Sequence, residues 1–284
     1  MSQAILFYEP DDQPTTVFED LVQAVADIPG SELAGRSEDV YRPFRWRDPA
    51  TGVSCDGDLG PLPVEADELH PARAYPGWRA IDLQLRIPTA VPHWWCIEAA
   101  RMIERLLKLL PGVAMLDSED TGDPDDPAGG PGPIDRQRLL ASWEQLHLAQ
   151  VERRSDCPRM ARRSSIAVWR YRRERAAGIS EQSDLRWPEA LVLCRDGVAH
   201  SATIWPAVED AWAMPPVELL VLPDDQPPRL VPAEALRQRI TADDLGYGGA
   251  CRVPAIEDCS ELLDQIPGLS LADYQAAADG EWQD

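Results

Sequence analysis

Lysine is nearly missing from this chain: of 27 basic residues only Lys108 is a lysine, and the rest are arginine. Lys108 sits in the apolar run Leu106–Leu110 with no glycine-rich loop before it. That placement excludes a phosphate loop, a kinase-type lysine and a Schiff-base pocket, each of which needs a lysine in a defined setting. Basic charge as a whole is scarce, 27 residues against 49 Asp and Glu, for a net charge of -22. Such a balance repels nucleic acid and anionic membranes, so neither is an expected partner and a basic protein is. The six cysteines contain no C-x-x-C pair, which fits reduced thiols better than a disulfide framework or a zinc site. No apolar stretch approaches the roughly 18 residues of a membrane span, and the first residues lack a basic signal-peptide start. A cytoplasmic location follows as the expectation.

What is present suits a folded core. The chain has 284 residues, 44% hydrophobic and 27% charged, long enough to bury about three quarters of its unfolded surface. Gln3–Tyr8 reads as a buried first strand. A helix follows, opened by Thr16 and Glu19 at capping-box spacing and stopped at Pro29-Gly30. Val40–Trp46 and Val53–Leu59 flank the turn cluster Asp48–Gly52 and predict a hairpin. Ile81, Leu83, Leu85 and Ile87 alternate with polar residues, the mark of a half-buried strand. Trp94–Leu110 shows a helical apolar face and leads into a strand at Val113–Leu116.

The stretch Ser118–Pro133 is acidic and rich in proline and glycine, and reads as a linker. Beyond it come a helix over Ile134–Arg154, a helix over Met160–Ala177, and a hairpin of Glu189–Cys194 with Val198–Trp205 about Asp196-Gly197. A strand at Val217–Leu222, a helix at Pro232–Ile240 and two short helices in Ile256–Ala278 complete the pattern, with Ser270 opening the second. The expected fold is α+β, with mixed or antiparallel sheets and packed helices. Its units are expected at 1–117 and 134–284, joined by the acidic loop 118–133, either separate or packed as one domain.

Charge is uneven. Residues 1–68 hold 15 acids and 4 bases, while Arg153–Arg175 carries nine arginines against Asp156 and Glu174. In so acidic a chain those arginines are expected to pair with its own carboxylates rather than with a polyanion. The histidines show no paired metal spacing: His93 reads as a helix-entry residue, and Cys194 with His200 reads as hairpin packing across a turn. No G-x-S-x-G elbow, EF-hand loop or phosphate loop is present. No catalytic residue, metal or cofactor is expected. The ten tryptophans are expected to divide between core and exposed interface anchors.

Several segments together resemble the Immunity protein 52 family, which accompanies restriction-endonuclease-like toxins in polymorphic-toxin and type VI secretion systems. They are Phe44-Arg45-Trp46 before the Asp48–Gly52 turn, Leu83–Pro88 running into an aromatic-headed helix with Glu98-Ala99, and Met115-Leu116-Asp117. Val168–Arg172, Asp196-Gly197 to Ile204-Trp205-Pro206, and Met214–Glu218 complete them, so the resemblance spans residues 40–222. It implies a protein that neutralises a cognate nuclease toxin by stoichiometric binding. A nuclease presents a basic cleft, so an acidic inhibitor is steered to it. The expected contacts are the loop carboxylates Asp117, Glu119, Asp120, Asp123, Asp125, Asp126, Asp224 and Asp225, with an exposed tryptophan as anchor. The alternative is a cytoplasmic hydrolase using carboxylates at a site no motif reveals.

Overall fold

The structure is a computed structural model, describing residues 2–36, 38–61, 75–117, 130–154, 157–178, 185–205, 211–223, 225, 227–240, 243–245, 249–253, 260–278 and 281–284. It is an α+β protein. The chain divides into two compact units, Met1–Arg154 and Ser155–Asp284. The division falls after the third helix and not at 118–133, because that helix is tied to the first sheet.

In the first unit β1 (Ser2–Pro10), β2 (Ser31–Leu33), β3 (Arg42–Arg47), β4 (Ser54–Leu59), β5 (Trp78–Pro88) and β6 (Ala114–Asp117) form one sheet in the order β2-β3-β4-β5-β1-β6. Every pairing in it is antiparallel. Register puts Ile5 opposite Leu85 and Asp117, and Phe44 opposite Gly57, so one face collects Ile5, Phe7, Phe44, Trp46, Leu83, Leu85 and Ile87, all buried. Three helices pair with these strands: α1 (Phe18–Ala26), α2 (Trp94–Leu109) and α3 (Arg136–Arg153). The α2 helix buries Trp94, Trp95, Ala99, Met102, Ile103 and Leu106. The indole of Trp95 donates to the Ser54 carbonyl at 2.7 Å. On α3, the Trp143 indole donates to the Pro88 carbonyl at 2.9 Å and His147 Nδ1 lies 2.8 Å from the Thr89 carbonyl. These bonds fasten α3 to the end of β5.

The capping box expected at Thr16 does not form. Val17 is the N-cap of α1 and makes no side-chain bond, while Thr16 gives its amide (2.9 Å) and its hydroxyl (2.6 Å) to Glu9. Glu9 is buried at the end of β1 and also takes the Arg79 guanidinium at 2.7 Å. A buried carboxylate needs such partners more than an exposed helix end needs a cap. Burial pushes the Glu9 carboxyl up, but the Thr16 hydroxyl and amide and Arg79 outweigh it and hold its pKa below the usual value.

The second unit opens with α4 (Arg162–Gly178). Its main sheet has the order β14-β11-β10-β8-β7-β15, built from β7 (Leu191–Arg195), β8 (Val198–Ile204), β10 (Leu219–Leu222), β11 (Arg229–Pro232), β14 (Leu269–Ser270) and β15 (Gln275–Ala276). Its one parallel pair is β8 with β10. A small sheet joins β9 (Trp212–Met214), β13 (Cys251–Val253) and β12 (Asp243–Asp244). The β7–β8 turn is as expected from Asp-Gly, with φ of 50° at Asp196 and 75° at Gly197. The inner sheet face packs Leu220, Leu222 and Val231 with Val168 and Tyr171 of α4 and with Trp187, Trp205 and Trp212. Arg172 on α4 donates to the Ala190 carbonyl at 3.1 Å. Two short helices follow, α5 (Ala233–Arg237) and α6 (Ser260–Asp264).

The second helix expected in the tail is only a 3-10 turn, Leu271–Asp273, with Ser270 accepting from the Ala272 amide at 3.3 Å. Around that turn the segment is extended. It pairs at one sheet edge through Ser270 with Arg229 and at the other through Gln275 with Cys194. The chain therefore straps the outer face of the sheet, seating Leu271 and Tyr274 on Leu193, Ala202, Leu219, Val221 and Leu230. Sheet edges offer open backbone partners that one more helical turn would forgo.

Candidate functional site

Of the contact residues expected from the sequence, Glu119, Asp120, Asp123, Asp125, Asp126 and Asp224 lie outside the described residues. The other two are not loose loop acids. Asp117 ends β6 at 7% exposure and accepts from Gln3 Nε2 at 2.5 Å. It lines an open hollow of about 310 Å³ with Asp135 and Arg138 beneath the start of α3. Asp225 is paired with Arg229, which also reaches Asp264 at 3.2 Å. The expected exposed tryptophan is not found either: eight of the ten indoles are buried, and Trp78 and Trp169 are half-buried. Large rings in alternating or helical patterns went to the cores, as their area favours.

One group of exposed carboxylates lies near the start of the first unit. Asp11 and Asp12 sit in the turn after β1, and Glu19, Asp20 and Asp27 on α1, all exposed. On a helical projection Glu19, Gln23, Asp27 and Asp20 share one arc, opposite the buried Leu21 and Val25. Glu19 and Asp20 lie in the first turn, where the helix dipole favours an acid. Asp27 is the C-cap, where it does not, and its carboxylate accepts the Gln23 side-chain amide at 2.6 Å. Acids at both ends of one helix are not placed for helix stability. The first basic residue of the chain is Arg36, and that gap is the sequence signal that marks this surface.

The second unit holds a carboxylate in a more elaborate setting. Glu218 lies just before β10, its amide fixed by the Ser201 carbonyl at 3.0 Å and hydroxyl at 3.1 Å. One carboxylate oxygen accepts from the Ser164 hydroxyl of α4, and the other lies 2.9 Å from His200 Nδ1. The His200 ring meets Tyr274 edge-on at 6.0 Å, and Arg195 lies 5.5 Å from the Tyr274 ring centre. The carboxylate orients the imidazole and leaves Nε2 for proton transfer. The order differs from a nucleophilic triad, because the Ser164 hydroxyl donates its hydrogen bond to the carboxylate and not to the histidine. Cys194 is opposite Ala199, and His200 opposite Leu193. Cys194 and His200 therefore point to opposite faces, and the packing expected between them does not occur.

His93 stands at the N-cap of α2, as its spacing suggested. Among the described residues no disulfide is present, and burial raises the thiol pKa of Cys55, Cys96 and Cys194. Among the described residues no group of three or more His, Cys, Asp or Glu is placed to hold a metal, and no helix is long and apolar enough to cross a membrane.

No family model, curated protein or solved structure matches this chain.

Proposed function

We propose that this chain is a cytoplasmic immunity protein that binds a cognate basic nuclease toxin and neutralises it in a stoichiometric complex. The observation that carries this reading is the set of exposed carboxylates Asp11, Asp12, Glu19, Asp20 and Asp27, in a stretch of sequence whose first basic residue is Arg36. A nuclease must show cationic groups to its phosphate substrate, and opposite charge on an inhibitor raises the encounter rate. The resemblance over residues 40–222 supports the same reading. Changing the five acids together to Asn and Gln is expected to slow association with the product of the adjacent gene by tenfold or more at low salt. It is also expected to flatten the salt dependence of that rate. An unchanged rate would remove the charge-steering role.

A second reading, a hydrolase, is favoured by the Ser164–Glu218–His200 arrangement. It predicts slow turnover of activated esters or phosphoesters that His200→Ala abolishes. Wild-type protein without turnover on such substrates would leave Glu218 as a structural clamp between α4 and β8.

A further inference from the structure

The strap over the outer sheet face of the second unit covers a buried surface without being buried itself. Beneath it Leu193, Ala202, Leu219, Val221 and Leu230 are all buried. None of residues 269–278 is, and even Leu271 and Tyr274, which sit on that row, are only half-buried. The chain on either side is anchored deeply: Ile266 belongs to the inner core at 2% exposure, and Trp282 is fully buried.

The strap is fixed to the sheet at its two ends. Leu269 and Ser270 pair with Leu230 and Arg229 at one edge, and Gln275 and Ala276 with Cys194 and Leu193 at the other. Beside the first edge the Leu271 amide donates to the Pro228 carbonyl at 3.4 Å, and beside the second the Ala277 amide donates to the Val192 carbonyl at 3.0 Å. The turn between them closes on itself, the Tyr274 amide donating to the Leu271 carbonyl at 3.0 Å. That bond couples the two seated side chains, so one cannot leave the sheet without drawing on the other. The Tyr274 ring meets His200 edge-on at 6.0 Å, and Arg195 lies 5.5 Å from its centre.

Segments open locally where they bury little of their own side-chain area and keep their backbone bonds near solvent. The strap meets both conditions, and its buried anchors do not. Lifting it breaks the edge bonds and exposes the aliphatic row, so the closed state dominates and the open one is a minor population. We infer that residues 269–278 form a lid that lifts from the sheet as one piece between its two buried anchors, uncovering the aliphatic row and His200 together. The inference does not rest on the immunity reading. In the hydrolase reading the lift gives a substrate access to His200, but the lid itself is tested without turnover.

The test is hydrogen exchange of the full chain, read at single amides by NMR. Leu271 and Ala277 are bonded at opposite edges, so a single lifting event gives their amides one shared protection, about tenfold or more below that of β8 and β10. Dilute urea is expected to leave both rates unchanged, because so short a segment exposes little surface. Tyr274→Ala removes a half-buried ring and is expected to speed exchange at both amides by the same factor, about tenfold. Unchanged protection in β8 and β10 shows that the variant is folded, and the wild-type comparison decides the matter even where it is not. Faster exchange at Ala277 alone would mean that the edges fray separately, and would overturn the lid. Exchange of both wild-type amides no faster than that of β8 and β10 would overturn it as well, since the strap would then open only when the whole unit unfolds.

Discussion

The two units are held together in different ways. The first has one antiparallel sheet of six strands backed by helices of 9, 16 and 18 residues. The second closes through its own chain end: the strap bonds both sheet edges, and beyond it Trp282 returns to a fully buried position. There Gln283 donates to the Pro158 carbonyl and accepts from the Met160 amide. Stability of the second unit thus depends on its last residues, while that of the first is spread over its helices.

Trp282→Ala should break this contrast most strongly. Removing a fully buried indole costs about 3 to 5 kcal/mol, and the loss should fall on the second unit alone. Hydrogen exchange is the check: amides of β7, β8 and the strap should lose protection while those of β1 and β5 keep theirs. Uniform loss across both units would show that they unfold as one.

Gly57→Ala tests the first unit in the same way, with a smaller effect. A Cβ at Gly57 would run into the Phe44 ring and come within 2.8 Å of the Gln84 carbonyl, and such overpacking costs about 1 to 3 kcal/mol. Urea unfolding should shift to lower midpoint without change of slope. A wild-type midpoint would mean that Phe44 moves aside freely.

Glu9→Gln sharpens the comparison through pH. The folded pKa of Glu9 is lowered, so its contribution is present above the unfolded value of about 4.3 and disappears as pH falls through the folded value. The variant should lose about 2 kcal/mol near neutrality and show a shallower acid limb than wild type. Parallel acid limbs in the two proteins would contradict the Thr16–Glu9–Arg79 account.

The difference between the units also explains what could be read from residues alone. In the first unit Ile81–Ile87, Trp94–Leu110 and the Phe44–Leu59 hairpin carry strong local periodicity next to clear turn signals, and each forms near its expected bounds. The Asp196-Gly197 hairpin was equally legible, since two positive φ angles need those residue types. The strap was not, because Leu271 and Tyr274 have helical spacing and only distant sheet edges, at Arg229 and Cys194, decide otherwise. The same limit applied to the site. Net charge was visible, but pairing is a tertiary fact: it withdrew Asp117 and Asp225 and left the α1 acids. The link of Glu218 to Ser164 and His200 joins three distant segments and has no sequence motif.

The central claim, that this chain binds and silences a basic nuclease, is tested most directly by titrating it into the adjacent gene's product while recording DNA cleavage. Cleavage that falls linearly and ends at one equivalent is the predicted result. Undiminished cleavage in the presence of excess folded protein would contradict it.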